Sequence, residues 1–72
     1  MKISIEYCVT WNYFPKAASL ADAITNSVED VTIDFIKSSG GVFEVMKDGK
    51  LIHSKARTGN FPLEEEILKK LK

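Results

Sequence analysis

The side chain best placed for chemistry is Cys8, the only cysteine in a chain of 72 residues. It ends a short alternating run, KISIEYC, and is followed by VTWNY and then FPKAASLADAI. That order carries a sulfur on the end of a strand into a loop just before a helix N-terminus, where backbone N–H groups and the helix dipole favour an anion. A thiolate is the attacking form of cysteine, so the position suits a nucleophile or redox group. A two-sulfur loop would carry its second sulfur three residues further on, and Trp11 stands there. No acidic residue in the loop opposes negative charge on Cys8, and Lys16 adds a positive one if it turns that way. The ordinary alternative is a buried, inert cysteine.

The other reactive side chains have plainer readings. His53, the only histidine, falls within a strand pattern and reads as a surface residue; as a general base it would have to reach Cys8. One histidine and one cysteine do not make a structural zinc site, which takes about four such ligands. Gly40 and Gly41 lack the context of a phosphate-binding loop and read as a tight connection. Lys55 and Arg57 belong to a solvated polar loop rather than an anion site. Glu64, Glu65 and Glu66 open a helix, and the i,i+4 pairs Glu65–Lys69 and Glu66–Lys70 account for them without chemistry. Tyr7, Tyr13 and Phe14 are packing residues. Trp11 is either an ordinary loop aromatic or the anchor of a partner surface.

The elements that must position these groups follow from periodicity. Residues 2–8 alternate, with Ile3, Ile5 and Tyr7 on one face, and predict a strand. Pro15 suits a first helical turn. Phe14, Ala17, Ala18, Ala21, Ile24 and Val28, flanked by Leu20, then mark one face of a helix ending near Asn26. Val31, Ile33 and Phe35 predict a second strand over 30–37, SSGG at 38–41 a loop, and residues 42–46 a third strand. Asp48-Gly49 is a two-residue hairpin signal, because both central residues of that turn have positive φ. Residues 51–54 return as a fourth strand, and KARTGN reads as a loop. A last helix is predicted from Pro62, capped by Asn60, with early glutamates, with Lys69, Lys70 and Lys72 late, and with Ile67, Leu68, Leu71 and Leu63 as its buried stripe.

The expected order is β-α-β-β-β-α in one domain spanning 1–72: an α/β, two-layer α+β fold with a mixed four-stranded sheet and two helices. The first β-α-β unit is expected to cross over in parallel and right-handed fashion. Strand order is not fixed by pattern. If the first strand lies between the second and third, SSGG must arch over its end.

Ten basic and ten acidic residues give a formal net charge of zero, which excludes an electrostatic nucleic-acid binder. No apolar run approaches the ~18–20 residues of a membrane span, and the N-terminal run lacks a secretory pattern. A single cysteine makes no internal disulfide, so a reducing, cytoplasmic setting is expected; the chain is expected to be a monomer, though its cysteine could link two copies on oxidation.

Two blocks resemble a known family. YCVTWNYFPKA, at 7–17, is similar to the strand–CxxC/CxxU–helix segment of the selenoprotein W-like family, also called Rdx (the SelT, SelW and SelH group), within the thioredoxin-like fold. GGVFEVMKDGKLIHSK, at 40–55, is similar to that family's hairpin. The resemblance runs from about residue 3 to 72. It implies a thiol or selenol redox protein whose first catalytic cysteine is Cys8 and whose second position, Cys or selenocysteine (Sec), is Trp11. It also implies glutathione as co-substrate, with no tightly bound cofactor. Trp11 departs from the pattern. Either the chain is a natural monothiol variant, or Trp11 stands for a selenocysteine, whose UGA codon is one base from that of tryptophan. A lone Cys8 forms a mixed disulfide or sulfenic acid but needs an outside thiol to complete a cycle, so weak or glutathione-dependent turnover is expected. The competing expectation is a non-enzymatic module that docks a protein at the loop from Cys8 to Phe14.

Overall fold

The computed structural model describes residues 1–71, so the expectation for Lys72 lies outside the described residues. The elements run β1 (Lys2–Cys8), α1 (Phe14–Ser27), β2 (Thr32–Ser38), β3 (Phe43–Lys47), β4 (Lys50–Ser54), α2 (Lys55–Thr58) and α3 (Glu64–Leu71). The four strands form one sheet in the order β2-β1-β3-β4. β1 pairs in parallel with β2, Ile5 opposite Phe35, and antiparallel with β3, Ile5 opposite Val45. The period-two pattern of β1 therefore sends Ile3, Ile5 and Tyr7 to one face. There they are buried with Ala17, Leu20, Ala21 and Ile24 of α1, Phe43 and Val45 of β3, and Ile67 and Leu71 of α3. This is the two-layer thioredoxin-like arrangement expected. Among the described residues no helix is long and apolar enough to cross a membrane.

Because β1 lies between β2 and β3, the connection from Ser38 to Phe43 must pass over the Cys8 end of β1. Gly40 and Gly41 make that arch with φ of 74° and 75°, a left-handed backbone that costs an L side chain about 1–2 kcal/mol per residue. At the other end Asp48 and Gly49 turn the β3–β4 hairpin with φ of 49° and 85°. The Asp48 Oδ1 accepts the Lys2 N–H at 2.8 Å, which ties the hairpin to the start of β1.

Several expectations are corrected. Residues 55–58, read as loop, form one helical turn that ends at Gly59, whose N–H reaches the Lys55 carbonyl at 2.7 Å with φ of 77°. Among the described residues there are therefore three helices, not two. Phe14 is not on the buried face of α1: it is exposed and its ring meets those of Tyr7 and Phe35 at a tilt, at 5.4 and 5.3 Å, while Leu20 takes a core position. β2 starts at Thr32 rather than at residue 30, because Asp30 turns the chain with φ of 55°.

The last helix begins at Glu64, past Pro62. Asn60 does not cap it, since its N–H and side-chain Nδ2 bond back to Thr58. Leu63 is 64% exposed and belongs to no buried stripe. The glutamate–lysine pairs of α3 are not closed either. Lys70 Nζ donates to the Ile52 carbonyl at 2.8 Å, and Glu64 accepts the Ser19 hydroxyl at 3.1 Å. Among the described residues the one ion pair joins exposed Lys2 and Asp34 at 3.1 Å, worth at most ~1 kcal/mol.

Candidate redox loop

Cys8 is the last residue of β1 and is held on both sides. Its N–H donates to the Val42 carbonyl at 3.0 Å, and its carbonyl accepts the Tyr13 N–H at 3.0 Å. The next N–H, of Val9, donates to Ser38 at 3.0 Å. The loop then turns tightly, with the Asn12 N–H on the Val9 carbonyl and Asn12 at φ 56°. This turn brings the backbone of residue 11 back onto the sulfur, and the Trp11 N–H donates to Cys8 Sγ at 3.3 Å.

The strand-end position expected for Cys8 is observed, but its accessibility is not: the residue is 0% exposed. Alternation puts Cys8 on the sheet face opposite the helices. The strand pattern does not reveal that burial. Trp11, by contrast, is 59% exposed. Its indole lies on Gly41, where an added Cβ would stand 2.7 Å from a ring carbon. The same ring meets Tyr13 edge to face at 5.9 Å. Trp11 thus links the loop after β1 to the arch before β3, at the end of the strand that holds Cys8.

Gly41→Ala is expected to push the indole off its seat. The strained φ costs about 1–2 kcal/mol. Alkylation of Cys8 by iodoacetamide should become faster than in the unchanged chain as the contact between the two loops is lost. An unchanged alkylation rate would mean that Trp11 does not seal the sulfur.

The other predicted residues fall elsewhere. His53 lies on β4 opposite Val45, two strands from β1, with its Nε2 3.0 Å from the Asn60 carbonyl oxygen. In this arrangement it serves Asn60 rather than Cys8. Lys16 does not turn to Cys8; its Nζ stands over the Phe61 ring, 5.2 Å from the centroid. Lys55, read as solvated, is half-buried, with its ammonium 5.5 Å from the centre of Phe61 and 5.7 Å from that of Tyr13. Phe61 itself was missed by sequence reasoning. It meets Tyr13 at 4.8 Å and Phe43 at 5.2 Å, both edge to face. The signal was the aromatic–proline pair Phe61-Pro62 inside a polar segment. Among the described residues no three His, Cys, Asp or Glu side chains gather as metal ligands would.

The sequence model of the Rdx family matches residues 2–72. Two relatives are both named migration and invasion enhancer 1. The one from Bos taurus is 26% identical over the whole chain, and the one from Mus musculus is 27% identical over 97% of it. The chain spans 63% and 61% of the length of those relatives. Among solved structures, a selenoprotein W-related protein from Vibrio cholerae superposes with a TM-score of 0.92 at 24% identity, covering 97% of this chain and 90% of that one. A protein from Bordetella parapertussis superposes with a TM-score of 0.89 at 22% identity, covering 97% and 91%. These likenesses show the fold.

Proposed function

The chain belongs to the Rdx family, a family of redox-type, thioredoxin-like proteins, and we propose that its Cys8–Trp11 loop is a redox loop with one of its two reactive positions occupied by tryptophan. The observation that carries this reading is the Trp11 N–H on Cys8 Sγ at 3.3 Å. That contact places residue 11 directly beside the sulfur, as a two-sulfur loop requires of its second position. The difference in exposure suggests roles: position 11 faces outward and would attack, and buried Cys8 would resolve. With Trp11 in place of the Cys or selenocysteine, the attacking half is missing and Cys8 works alone.

The remaining chemistry is thiol–disulfide exchange. The Cys8 thiolate attacks the glutathione sulfur of a glutathionylated thiol, that S–S bond breaks, a Cys8–glutathione S–S bond forms, and the other thiolate leaves and takes up a proton. A second glutathione thiolate then attacks the mixed disulfide, restores the Cys8 thiolate and carries away glutathione disulfide. Burial makes the first step slow, because the loop must open before the sulfur is reached. The reading takes a monomer in the cytoplasm, with glutathione or protein thiols as partners and no bound cofactor.

Incubation with glutathione disulfide tests it. The expected result is slow addition of one glutathionyl group to Cys8, reversed by reduced glutathione. If the folded chain gains none while the urea-unfolded chain reacts at once, the redox reading fails.

A second reading is favoured by the exposure of Trp11 and Val9 beside a shielded sulfur. In it the loop from Cys8 to Phe14 docks a protein and does no chemistry. Its binding would survive Cys8→Ser and be lost in Trp11→Ala.

A further inference from the structure

β2 is an edge strand, and its seven residues pair with β1 in unbroken register. The Thr32 N–H donates to the Met1 carbonyl at 2.9 Å, and the Ser38 carbonyl accepts the Val9 N–H at 3.0 Å. Even-numbered residues of β2 therefore turn their backbone groups to β1, and Ile33, Phe35 and Lys37 turn theirs to the open edge. Neither a proline nor a bulge, two devices that blunt an edge, interrupts this row. The side chains add to it. Phe35 lies on the helix side, opposite Ile5, with the Phe14 ring 5.3 Å away, and Ile36 lies on the other side, opposite Glu6. The two are 41% and 43% exposed. Consecutive apolar residues on opposite faces of an edge are not both covered by a docked helix or a small molecule, which takes one face. A strand laid alongside covers both and supplies the missing hydrogen bonds. Charge then selects the strand. Lys37 is exposed on the face that carries Phe35, and among the described residues the one ion pair joins Lys2 and Asp34. A second copy paired antiparallel through its own β2 would set Ile33, Phe35 or Lys37 against Lys37, and none of these is acidic.

We propose that the open edge of β2 binds an extended segment of another protein as a fifth, antiparallel strand. The segment carries an acidic residue opposite Lys37, a β-branched residue opposite Ile36 and an aromatic residue opposite Phe35, in that order along its own chain. The site goes beyond the redox reading and needs neither the sulfur of Cys8 nor the indole of Trp11.

The peptide acetyl-Thr-Glu-Val-Phe-Thr-Val-Lys-Lys-amide is the probe, with its Glu set against Lys37. Titrated into the isotope-labelled chain, it should shift the amide signals of β2 to saturation and slow hydrogen exchange at the N–H groups of Ile33, Phe35 and Lys37. N-methylation of the probe at its Phe, whose N–H points at β2, should abolish binding. N-methylation at its first Val, whose N–H points away, should not. Lys37→Glu, on an exposed side chain, should weaken the probe by at least about fivefold, and a probe with Lys in place of its Glu should restore binding to that variant. Trp11→Ala should bind as the unchanged chain does. No saturable shift, unchanged exchange at those three amides, equal loss from both N-methylations, or full affinity in Lys37→Glu would each overturn the site. Loss of binding in Trp11→Ala would move it to the loop after β1, and self-association of the chain through β2 in place of probe binding would make the occupant a second copy; either result overturns the proposal.

Discussion

Trp11→Cys is expected to raise the rate of disulfide or peroxide reduction by at least about tenfold over the unchanged chain, since intramolecular resolution replaces a collision with an outside thiol. Residue 11 already stands with its nitrogen 3.3 Å from Cys8 Sγ, and its Cα is one bond further, about 1.46 Å from that nitrogen. The outer position is exposed, so the new thiol meets substrate without the loop opening. The buried Cys8 then completes the exchange from within. Adding Cys8→Ser to the same variant should remove most of the gain, because the adduct at position 11 would have no internal partner. Turnover measured with glutathione and glutathione reductase reads both. If the double variant were as fast as Trp11→Cys alone, Cys8 would have no resolving role.

Phe43→Ala should have the largest effect on stability. Phe43 is 1% exposed, pairs with Tyr7 across the sheet and meets Phe61 edge to face at 5.2 Å. Truncating such a ring removes its burial and leaves a cavity, a loss of about 3–5 kcal/mol. A chain of this length has roughly 4–11 kcal/mol to lose at ~0.05–0.15 kcal/mol per residue. The urea midpoint should therefore fall far enough to leave the variant marginal or unfolded. Leu63→Ala, on a side chain 64% exposed, should change stability by no more than about 0.5 kcal/mol. A Phe43→Ala loss below about 1 kcal/mol would contradict the core described here.

The fold was legible where local chemistry decides the structure. Strict alternation in KISIEYC, the Asp48-Gly49 turn and the three- and four-residue spacing of Ala17, Ala21 and Ile24 each have one good structural solution, and the chain adopts it. Tertiary contacts decided the rest. Phe14 has helical spacing with the core of α1, yet its ring goes to Tyr7 of β1 and Phe35 of the edge strand β2. KARTGN is polar and reads as loop, but Gly59 lets four residues close a helical turn.

The candidate site was half legible. Cys8 and Trp11 could be singled out by spacing, and the family resemblance agrees with the family match over residues 2–72. Burial of Cys8 could not be read from the alternation of β1, which does not show how the chain closes around the strand end. Lys16 and Lys55 are 39 residues apart, and only the folded chain brings both to the Phe61 ring. No periodicity encodes such a meeting.

The central claim is that positions 8 and 11 are the two halves of one redox loop. Counting free thiols in oxidised Trp11→Cys under denaturing conditions tests it most directly. The account predicts that the monomer has none, with a single bond between positions 8 and 11 that dithiothreitol reopens. Two free thiols per chain after oxidation, or a bond only between chains, would contradict it.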